Sequence, residues 1–268
     1  MSDSVFGSSL PKAYDTYLVP LIFEPYAADM VSRLETFAPS TVLEVACGTG
    51  VLTRAMAASL SRSTQIVSTD LNQPMLDYAS MFPNAGDIEW RQADAMALPF
   101  GDGAFDAVVC QFGVMFCSDK PRAFSEACRV LRTGGVFIFN VWDRIEENEL
   151  ADTVTNALAT VFPDDPPRFM ARTPHGYHDR DVIARDLERS AFSNQPRIET
   201  VTARSRAASP RVPAVAYCEG TPLRDEIESR DASRLGEAVD ASEEAIAARF
   251  GRGAIDAKIQ AHVVTIES

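Results

Sequence analysis

Residues 41–50 read Thr-Val-Leu-Glu-Val-Ala-Cys-Gly-Thr-Gly, an apolar run followed by small residues and glycines. The segment from Thr41 to Val45 is rich in β-branched residues, which is typical of a strand buried on both faces of a parallel sheet. A helical pattern begins at Val51. Glycines tolerate positive φ and close backbone approach, and a helix start offers unpaired N–H groups. The sequence therefore predicts a strand, a turn and a helix N-terminus that together form a nucleotide site.

Two classes of cofactor use this geometry. A dinucleotide site carries the pattern G-x-G-x-x-G, with a pyrophosphate at the helix N-terminus. After Gly48 and Gly50, the third glycine of that pattern is replaced by Thr53. Glu44, at the end of the strand, would repel a pyrophosphate and suits a ligand with a cationic amino group. A nicotinamide-dependent enzyme is therefore disfavoured, and a tight turn that binds nothing is the structural alternative.

A further carboxylate follows the next predicted strand, which covers residues 65–69. Asp70 comes directly after that strand, at the distance from the glycines where nucleotide-binding α/β proteins place an acidic residue. A carboxylate in this position can accept hydrogen bonds from both hydroxyls of a ribose. The spacing therefore predicts that Asp70 binds a ribose.

Three segments resemble motifs of the class I S-adenosylmethionine-dependent methyltransferases. Residues 44–50 match the first motif, and residues 98–106 are similar to the linker Leu-Pro-Phe-x-Asp-x-x-Phe-Asp. Residues 129–135 resemble Arg-Val-Leu-Lys-Pro-Gly-Gly, with Thr133 in place of the usual proline. The resemblance covers about residues 40–142 and is nearest to methyltransferase type 11. That branch includes quinone-biosynthesis C-methyltransferases and many small-molecule O-, N- and C-methyltransferases.

The resemblance implies both a fold and an activity. The fold would be α/β and Rossmann-like, a doubly wound, mostly parallel seven-stranded sheet with an antiparallel last strand and helical additions. The activity would be methyl transfer from S-adenosyl-L-methionine to an O, N or C atom of a small-molecule acceptor, giving S-adenosyl-L-homocysteine. Two alternatives stay open: a protein that uses the same cofactor for chemistry other than methyl transfer, and a non-catalytic cofactor-binding module.

The resemblance also implies which residues contact the cofactor. Asp94 would accept a hydrogen bond from the adenine amino group, and the backbone N–H of Ala95 would contact a ring nitrogen. Met75 would lie against the adenine face, although a core methionine is the alternative. Glu44 would lie near the methionyl ammonium, through the glycine loop or water. The implied cofactor residues are Glu44, Ala46, Gly48, Gly50, Asp70, Leu71, Met75, Asp94, Ala95 and Gln111.

Gln111 occupies the family's fourth motif, near the methionine part of the cofactor and facing the methyl acceptor. Enzymes of this kind that methylate amino groups of nucleic-acid bases or protein amides often have Asn or Asp there, within a Pro-Pro-Tyr-like sequence. The sequence after Gln111 is Phe-Gly-Val-Met-Phe instead. Nucleic-acid bases and protein amides are therefore disfavoured as acceptors.

We expect a single methyltransferase domain over residues 1–268. Within it, residues 12–37 would form an N-terminal helical cover and residues 40–142 the cofactor-binding core. Residues 143–178 and 207–253 would be insertions on the substrate side, because insertions at this edge of the sheet commonly build substrate pockets.

The cover segment contains apolar residues at near-helical spacing, interrupted by Pro20 and Pro25. Because proline ends or kinks a helix, the pattern predicts two or three short helices. In the family this segment often covers the cofactor, which makes Tyr14, Tyr17 and Phe23 candidates for a lid. Simple packing on the sheet edge is the alternative for each of them.

No catalytic residue follows from the motifs, because the methyl group of a sulfonium is already activated and positioning is the enzyme's main task. A general base is needed only for an acceptor that is protonated at the working pH. The residues with suitable chemistry are His175, His178, Tyr17 and Tyr217, with ordinary loop histidines as the alternative for the first two. His175 and His178 have the spacing of a metal pair, but no third ligand is indicated nearby, so no metal is expected.

Composition limits the possible partners. The chain has 268 residues, a net charge of −13 and no basic cluster, which disfavours binding to nucleic acid. No apolar run is long enough for a membrane span, and no signal peptide is recognised. Residues 1–10 are rich in Ser and Gly and are predicted to be mobile. Five cysteines without C-x-x-C spacing indicate free thiols in a reducing cytoplasm. The oligomeric state is not indicated.

Overall fold

The structure is a computed structural model that describes residues 10–83 and 88–268. The mobility predicted for the first ten residues therefore lies outside the described ranges, except at Leu10. The seven strands found in these ranges are β1 (Thr41–Val45), β2 (Gln65–Asp70), β3 (Ile88–Gln92), β4 (Phe105–Gln111), β5 (Leu131–Trp142), β6 (Arg197–Ala207) and β7 (Ile255–Glu267).

All seven strands belong to one sheet, in the order β3-β2-β1-β4-β5-β7-β6. The first five strands pair in parallel, whereas β7 runs antiparallel to both of its neighbours. The predicted seven-stranded, mostly parallel sheet with an antiparallel last strand is confirmed. The direction of strand order changes between β1 and β4, and open α/β sheets bind ligands at the carboxyl ends of strands beside such a point.

Strand β1 is buried on both faces, as its apolar sequence predicts. Successive side chains of a strand point to opposite faces of the sheet. Accordingly, Leu43 belongs to a hydrophobic cluster that contains Phe124 and Phe139, and Val42 belongs to a second cluster with Met30 and Leu52. The sheet is therefore packed on both sides, and β1 lies in its interior, between β2 and β4.

The helices lie before, between and after the strands. None of those in the described parts of the chain is both long and apolar enough to cross a membrane. The α-helices are α1 (Leu10–Ala13), α2 (Glu24–Glu35), α3 (Val51–Ser59), α4 (Gln73–Ala79), α5 (Lys120–Val130), α6 (Glu149–Val161), α7 (Phe169–Arg172), α8 (Arg180–Glu188), α9 (Arg211–Glu219), α10 (Leu223–Asp231) and α11 (Leu235–Phe250).

The N-terminal cover contains three helical elements, within the predicted number, but they follow one another without a gap and the predicted break at Pro20 is wrong. Between α1 and α2, residues Tyr14–Phe23 form a wide π-helix that contains Pro20. Pro25 lies in the first turn of α2, where a missing N–H costs little because that N–H has no acceptor in the preceding α-helical turn. The Tyr26 hydroxyl then donates to the Val201 carbonyl oxygen at 3.1 Å, which ties the cover to β6.

The two predicted insertions are mainly helical. The first contains α6 and α7, and the second contains α9, α10 and α11 between the antiparallel strands β6 and β7. Helix α11 packs against α6 and α9, and α9 packs against the π-helix. The second insertion therefore packs against the first insertion through α11 and against the N-terminal cover through α9.

Candidate functional site

A cavity opens at the carboxyl ends of β1, β2 and β4, beside the change in strand order. It encloses a space of about 1040 Å³, part of which is open to solvent. The turn after β1 and the turn after β3 form part of its wall, and Tyr14 and Phe23 from the two ends of the π-helix also line it. Every residue implied as a cofactor contact lines this cavity except Gly50.

The glycine turn after β1 has the left-handed conformations that its sequence allows. The φ angles of Ala46, Gly48 and Gly50 are 55°, 54° and 82°. A Cβ on Gly48 would meet no atom within 4 Å, so this backbone faces open space. A Cβ on Gly50 would lie only 3.2 Å from side-chain atoms of Ala79 and Trp90. Gly50 therefore allows the turn to pack against its neighbours, whereas Gly48 leaves room for a ligand.

Asp70 ends β2 and is 6% exposed. Its Oδ2 accepts a hydrogen bond from the Gly48 N–H at 2.9 Å, and its Oδ1 accepts from the Asn72 N–H at 2.8 Å. Burial raises the pKa of Asp70, and these N–H donors act in the opposite direction. The side-chain amide of Asn72 also donates to Oδ1 at 3.2 Å, so Oδ1 already has two donors and only Oδ2 keeps capacity for one more. Asp70 thus holds the glycine turn in place and can still bind a ligand hydroxyl.

Glu44 lies beneath the glycine turn and is 1% exposed. Its Oε2 accepts from the hydroxyl of Thr53, on α3, and from the hydroxyl of Ser68, on β2, at 3.0 Å. Burial, and to a smaller extent the nearby Asp70, raise the pKa of Glu44 to about 7, against the effect of the two hydroxyl donors. Thr53, which stands in place of the third glycine of the dinucleotide pattern, is therefore a hydrogen-bond donor to Glu44.

The turn after β3 presents Asp94 and Ala95 to the cavity. The Asp94 Oδ1 accepts from the Met96 N–H at 2.8 Å, and the Ala97 N–H donates to the Asp94 carbonyl oxygen at 3.0 Å. Leu71, which is 50% exposed, also lines this end of the cavity. A flat ligand could bind here, with its polar edge toward Asp94 and Ala95 and its face against the apolar side chain of Leu71.

The opposite wall follows β4 and is aromatic. Phe112 has a φ of 50°, and its N–H donates to the Asn140 Oδ1 at 2.8 Å. Its ring stacks on Trp142, with the ring centroids 3.8 Å apart, and lies 5.6 Å from the ring of Phe23. The next residue is Gly113, and a larger residue would not fit there because its Cβ would lie 2.5 Å from the Cβ of Ala46. Sequence reasoning missed this wall, for which the Phe-Gly pair after a buried strand was the available signal.

Two buried polar side-chain atoms of cavity residues have no hydrogen-bond partner within the part of the chain that the structure describes. They are the Thr49 Oγ1 and the Gln111 Oε1. An unpartnered buried polar atom destabilises the folded state, and native proteins rarely keep one without a ligand or water that satisfies it. Both atoms are therefore candidates for ligand contacts.

The candidate catalytic residues lie elsewhere, apart from the cavity. His175 is buried with its Nδ1 2.8 Å from the Asp143 carbonyl oxygen, and burial lowers its pKa to about 4. His178 lines a separate polar cleft. Tyr17 is 38% exposed and Tyr217 is buried, and neither is among the cavity-lining residues described.

Of the three lid candidates, only Tyr14 and Phe23 reach the cavity. The two insertions contribute no residue to the described lining.

Comparisons with known proteins agree with this geometry. The profile of the methyltransferase domain family matches residues 43–139. A demethylmenaquinone methyltransferase of Thermus thermophilus is 42% identical over 100 residues, which are 37% of this chain and 45% of that protein. The ubiquinone/menaquinone biosynthesis C-methyltransferase UbiE of Escherichia coli is 36% identical over 167 residues, 58% of this chain and 66% of that protein. The chain thus matches less than two thirds of either relative.

A similar fold is found in a phosphoethanolamine N-methyltransferase of Haemonchus contortus, solved in complex with phosphomonomethylethanolamine and S-adenosylhomocysteine. The TM-score is 0.57 at 16% identity, and the match covers 98% of this chain and 58% of that one. At this identity the likeness concerns the fold alone. The domain match, the two relatives and the sheet order lead to one assignment. Residues 43–139 match a methyltransferase domain, and the chain is similar to class I S-adenosylmethionine-dependent methyltransferases of the branch that contains the quinone-biosynthesis C-methyltransferases.

Proposed function

We propose that this protein is an enzyme that transfers the methyl group of S-adenosylmethionine to a small molecule and releases S-adenosylhomocysteine. The observation that carries the proposal is the meeting of Glu44, Asp70 and Asp94 with the glycine turn around one cavity. S-adenosylmethionine has an ammonium group, a ribose and an adenine, and each of these groups has a matching partner in that set.

The chemistry of the cavity residues fits this ligand part by part. Asp70 would accept from the ribose hydroxyls, and Asp94 with the Ala95 N–H would bind the adenine edge. Glu44 would face the methionyl ammonium through the glycine turn or water. Thr49 and Gln111 would supply their unpartnered oxygens near the methionine end.

When bound, the sulfonium supplies a methyl group that needs no further activation. The task of the chain is then to hold the acceptor in line with the methyl carbon and to keep water out. Tyr14 and Phe23 line the cavity from the cover, so an acceptor would enter between them and the glycine turn. A cavity with room for an acceptor beside the glycine turn favours an enzyme over a non-catalytic cofactor-binding module.

The same proposal includes the setting in which the protein works. The five cysteines are all free thiols, and three of them are buried, which suits a reducing cytoplasm. The net charge of −13 disfavours a nucleic acid as the acceptor. We therefore propose a cytoplasmic enzyme with a small-molecule substrate.

Calorimetric titration with S-adenosylmethionine, S-adenosylhomocysteine and NADH tests the cofactor. We expect micromolar binding of the two sulfur ligands and no heat of binding with NADH. The result is expected because the cavity offers carboxylates to an ammonium and a ribose, and these would repel a pyrophosphate. Binding of NADH in competition with S-adenosylhomocysteine, or failure of both sulfur ligands to bind, would refute the proposal.

A further inference from the structure

The charge of the cavity limits the acceptor. Its described lining includes Glu44, Asp70 and Asp94 but no Lys, Arg or His. The sequence of the segments that are not described, residues 1–9 and 84–87, contains none of these three residue types either. A carboxylate or phosphate on the acceptor would therefore find no cationic side chain to pair with in the described lining. The lining suits a neutral or cationic acceptor.

The titratable groups near the aromatic wall are poor bases. Burial raises the pKa of Tyr14 and of Cys47, and it raises the pKa of Cys117 to about 11. Each of these groups is therefore protonated near neutral pH and cannot take a proton from an acceptor. Glu44 is held beneath the glycine turn by the hydroxyls of α3 and β2. A phenol or a carbon acid must lose a proton to react, whereas a neutral amine already has a free lone pair.

The aromatic wall suits a nitrogen that becomes positively charged. The rings of Tyr14, Phe23, Phe112 and Phe116 all line the cavity. Tyr14 and Phe23 stack with their centroids 5.2 Å apart, and Phe23 contacts Phe112, so three of the four rings form one surface. The face of an aromatic ring attracts a cation, and the attraction increases when water is excluded. Such a wall stabilises an ammonium product and offers nothing comparable to an anion.

Gln111 provides the directional contact. Its side chain is 9% exposed, and its Oε1 is buried without a partner among the residues described. The residue lies at the end of β4, directly before Phe112, and lines the cavity. A carbonyl oxygen can only accept a hydrogen bond, so the group that satisfies it must be a donor. An amine N–H meets this requirement and leaves the nitrogen lone pair available for reaction.

We propose that the methyl acceptor is an uncharged amine whose N–H donates to the Gln111 Oε1 and whose nitrogen lies against the aromatic wall. This inference rests on the methyl transfer proposed above. The nitrogen lone pair forms the new C–N bond while the carbon–sulfur bond breaks and its electrons stay on sulfur. The positive charge passes from the sulfonium to the nitrogen, giving a thioether and a methylammonium ion. No base takes part in this step, and any proton leaves the product later to water.

Acceptors that contain both an amine and a phenol test the inference directly. 3-Aminophenol and 4-aminophenol each carry a phenol and an aromatic amine that is uncharged at neutral pH, and 2-phenylethanol and phenylacetate serve as analogues without an amine. We expect the amines to bind the complex of the protein with S-adenosylhomocysteine in calorimetry, and the two analogues not to bind. With S-adenosylmethionine, mass spectrometry should place the added methyl group on nitrogen. Methyl transfer to phenol oxygen, ring carbon or carboxylate, or a complex that binds no amine, would overturn the inference.

Gln111→Leu, with Gln73→Leu as a control on the exposed surface of α4, tests the residue. We expect Gln111→Leu to weaken amine binding to the loaded protein about tenfold, because one hydrogen bond is lost. Binding of S-adenosylhomocysteine should stay unchanged in Gln73→Leu and should fall much less than amine binding in Gln111→Leu, because Gln111 also lies near the methionine end of the cofactor. An equal loss of S-adenosylhomocysteine binding would mean that Gln111 holds the cofactor instead, which overturns its assignment to the acceptor. If wild-type protein binds neither sulfur ligand, the proposed function itself is wrong.

Discussion

Replacing Asp70 with alanine is expected to weaken S-adenosylmethionine binding by about 1–3 kcal/mol, or roughly 5- to 150-fold in Kd. The reason is the position of the carboxylate, which is buried at the end of β2 with acceptor capacity left on Oδ2. Without it, the ribose would lose this acceptor at the end of β2. Calorimetric titration of both proteins gives the ratio of the two Kd values.

The variant has a second effect that must be separated from the first. Asp70 also accepts from the Gly48 N–H, so its loss loosens the glycine turn. Asp70→Asn retains an acceptor oxygen and the shape of the side chain but lacks the charge, and we expect it to bind with intermediate affinity. Asp77→Ala, at an exposed site on α4, is the matched control and should bind like wild type. An unchanged Kd in Asp70→Ala would show that the ribose is held elsewhere.

The central sheet and the first half of the site could be predicted because they depend on local patterns. The strand at 41–45, its glycine turn and the carboxylates Asp70 and Asp94 are each visible within a few residues of sequence. Parallel strands then bring their carboxyl ends to one edge of the sheet without further information. This explains why residues from three separate turns meet at one cavity, as the motif order predicts.

The other features of the fold and the site depend on contacts between residues that are far apart in the sequence. Thr53 was interpreted only as a missing glycine, because its hydrogen bond to Glu44 depends on how α3 packs over β1. The continuous helix through Pro20 could not be predicted because a π-helix is set by tertiary packing and has no sequence pattern of its own. The left-handed conformation of Phe112 depends likewise on Asn140 of the neighbouring strand.

The buried carboxyl of Glu44 is expected to make the stability of the ligand-free protein depend on pH. Its pKa is raised from 4.5 to about 7 in the folded protein. For a group whose folded-state pKa is raised, the stabilisation is complete below the unfolded-state pKa and is lost as pH rises through the folded-state pKa. The free energy of unfolding of wild type, relative to Glu44→Gln, should therefore decrease between about pH 4.5 and pH 7. A shift of this size corresponds to about 3 kcal/mol.

Urea unfolding of the two proteins at a series of pH values measures this difference. Glutamine keeps a carbonyl oxygen for the hydroxyls of Thr53 and Ser68 but cannot ionise, so its stability lacks the contribution of this group. Glu35→Gln, at an exposed position at the end of α2, should change stability by a small amount that hardly varies over the same range. A constant difference between wild type and Glu44→Gln from pH 4.5 to 8 would contradict the prediction. Saturating S-adenosylmethionine should make this decrease smaller if its ammonium group lies close to Glu44. A cation close to the carboxylate favours the ionised form and therefore keeps the wild type stable at neutral pH.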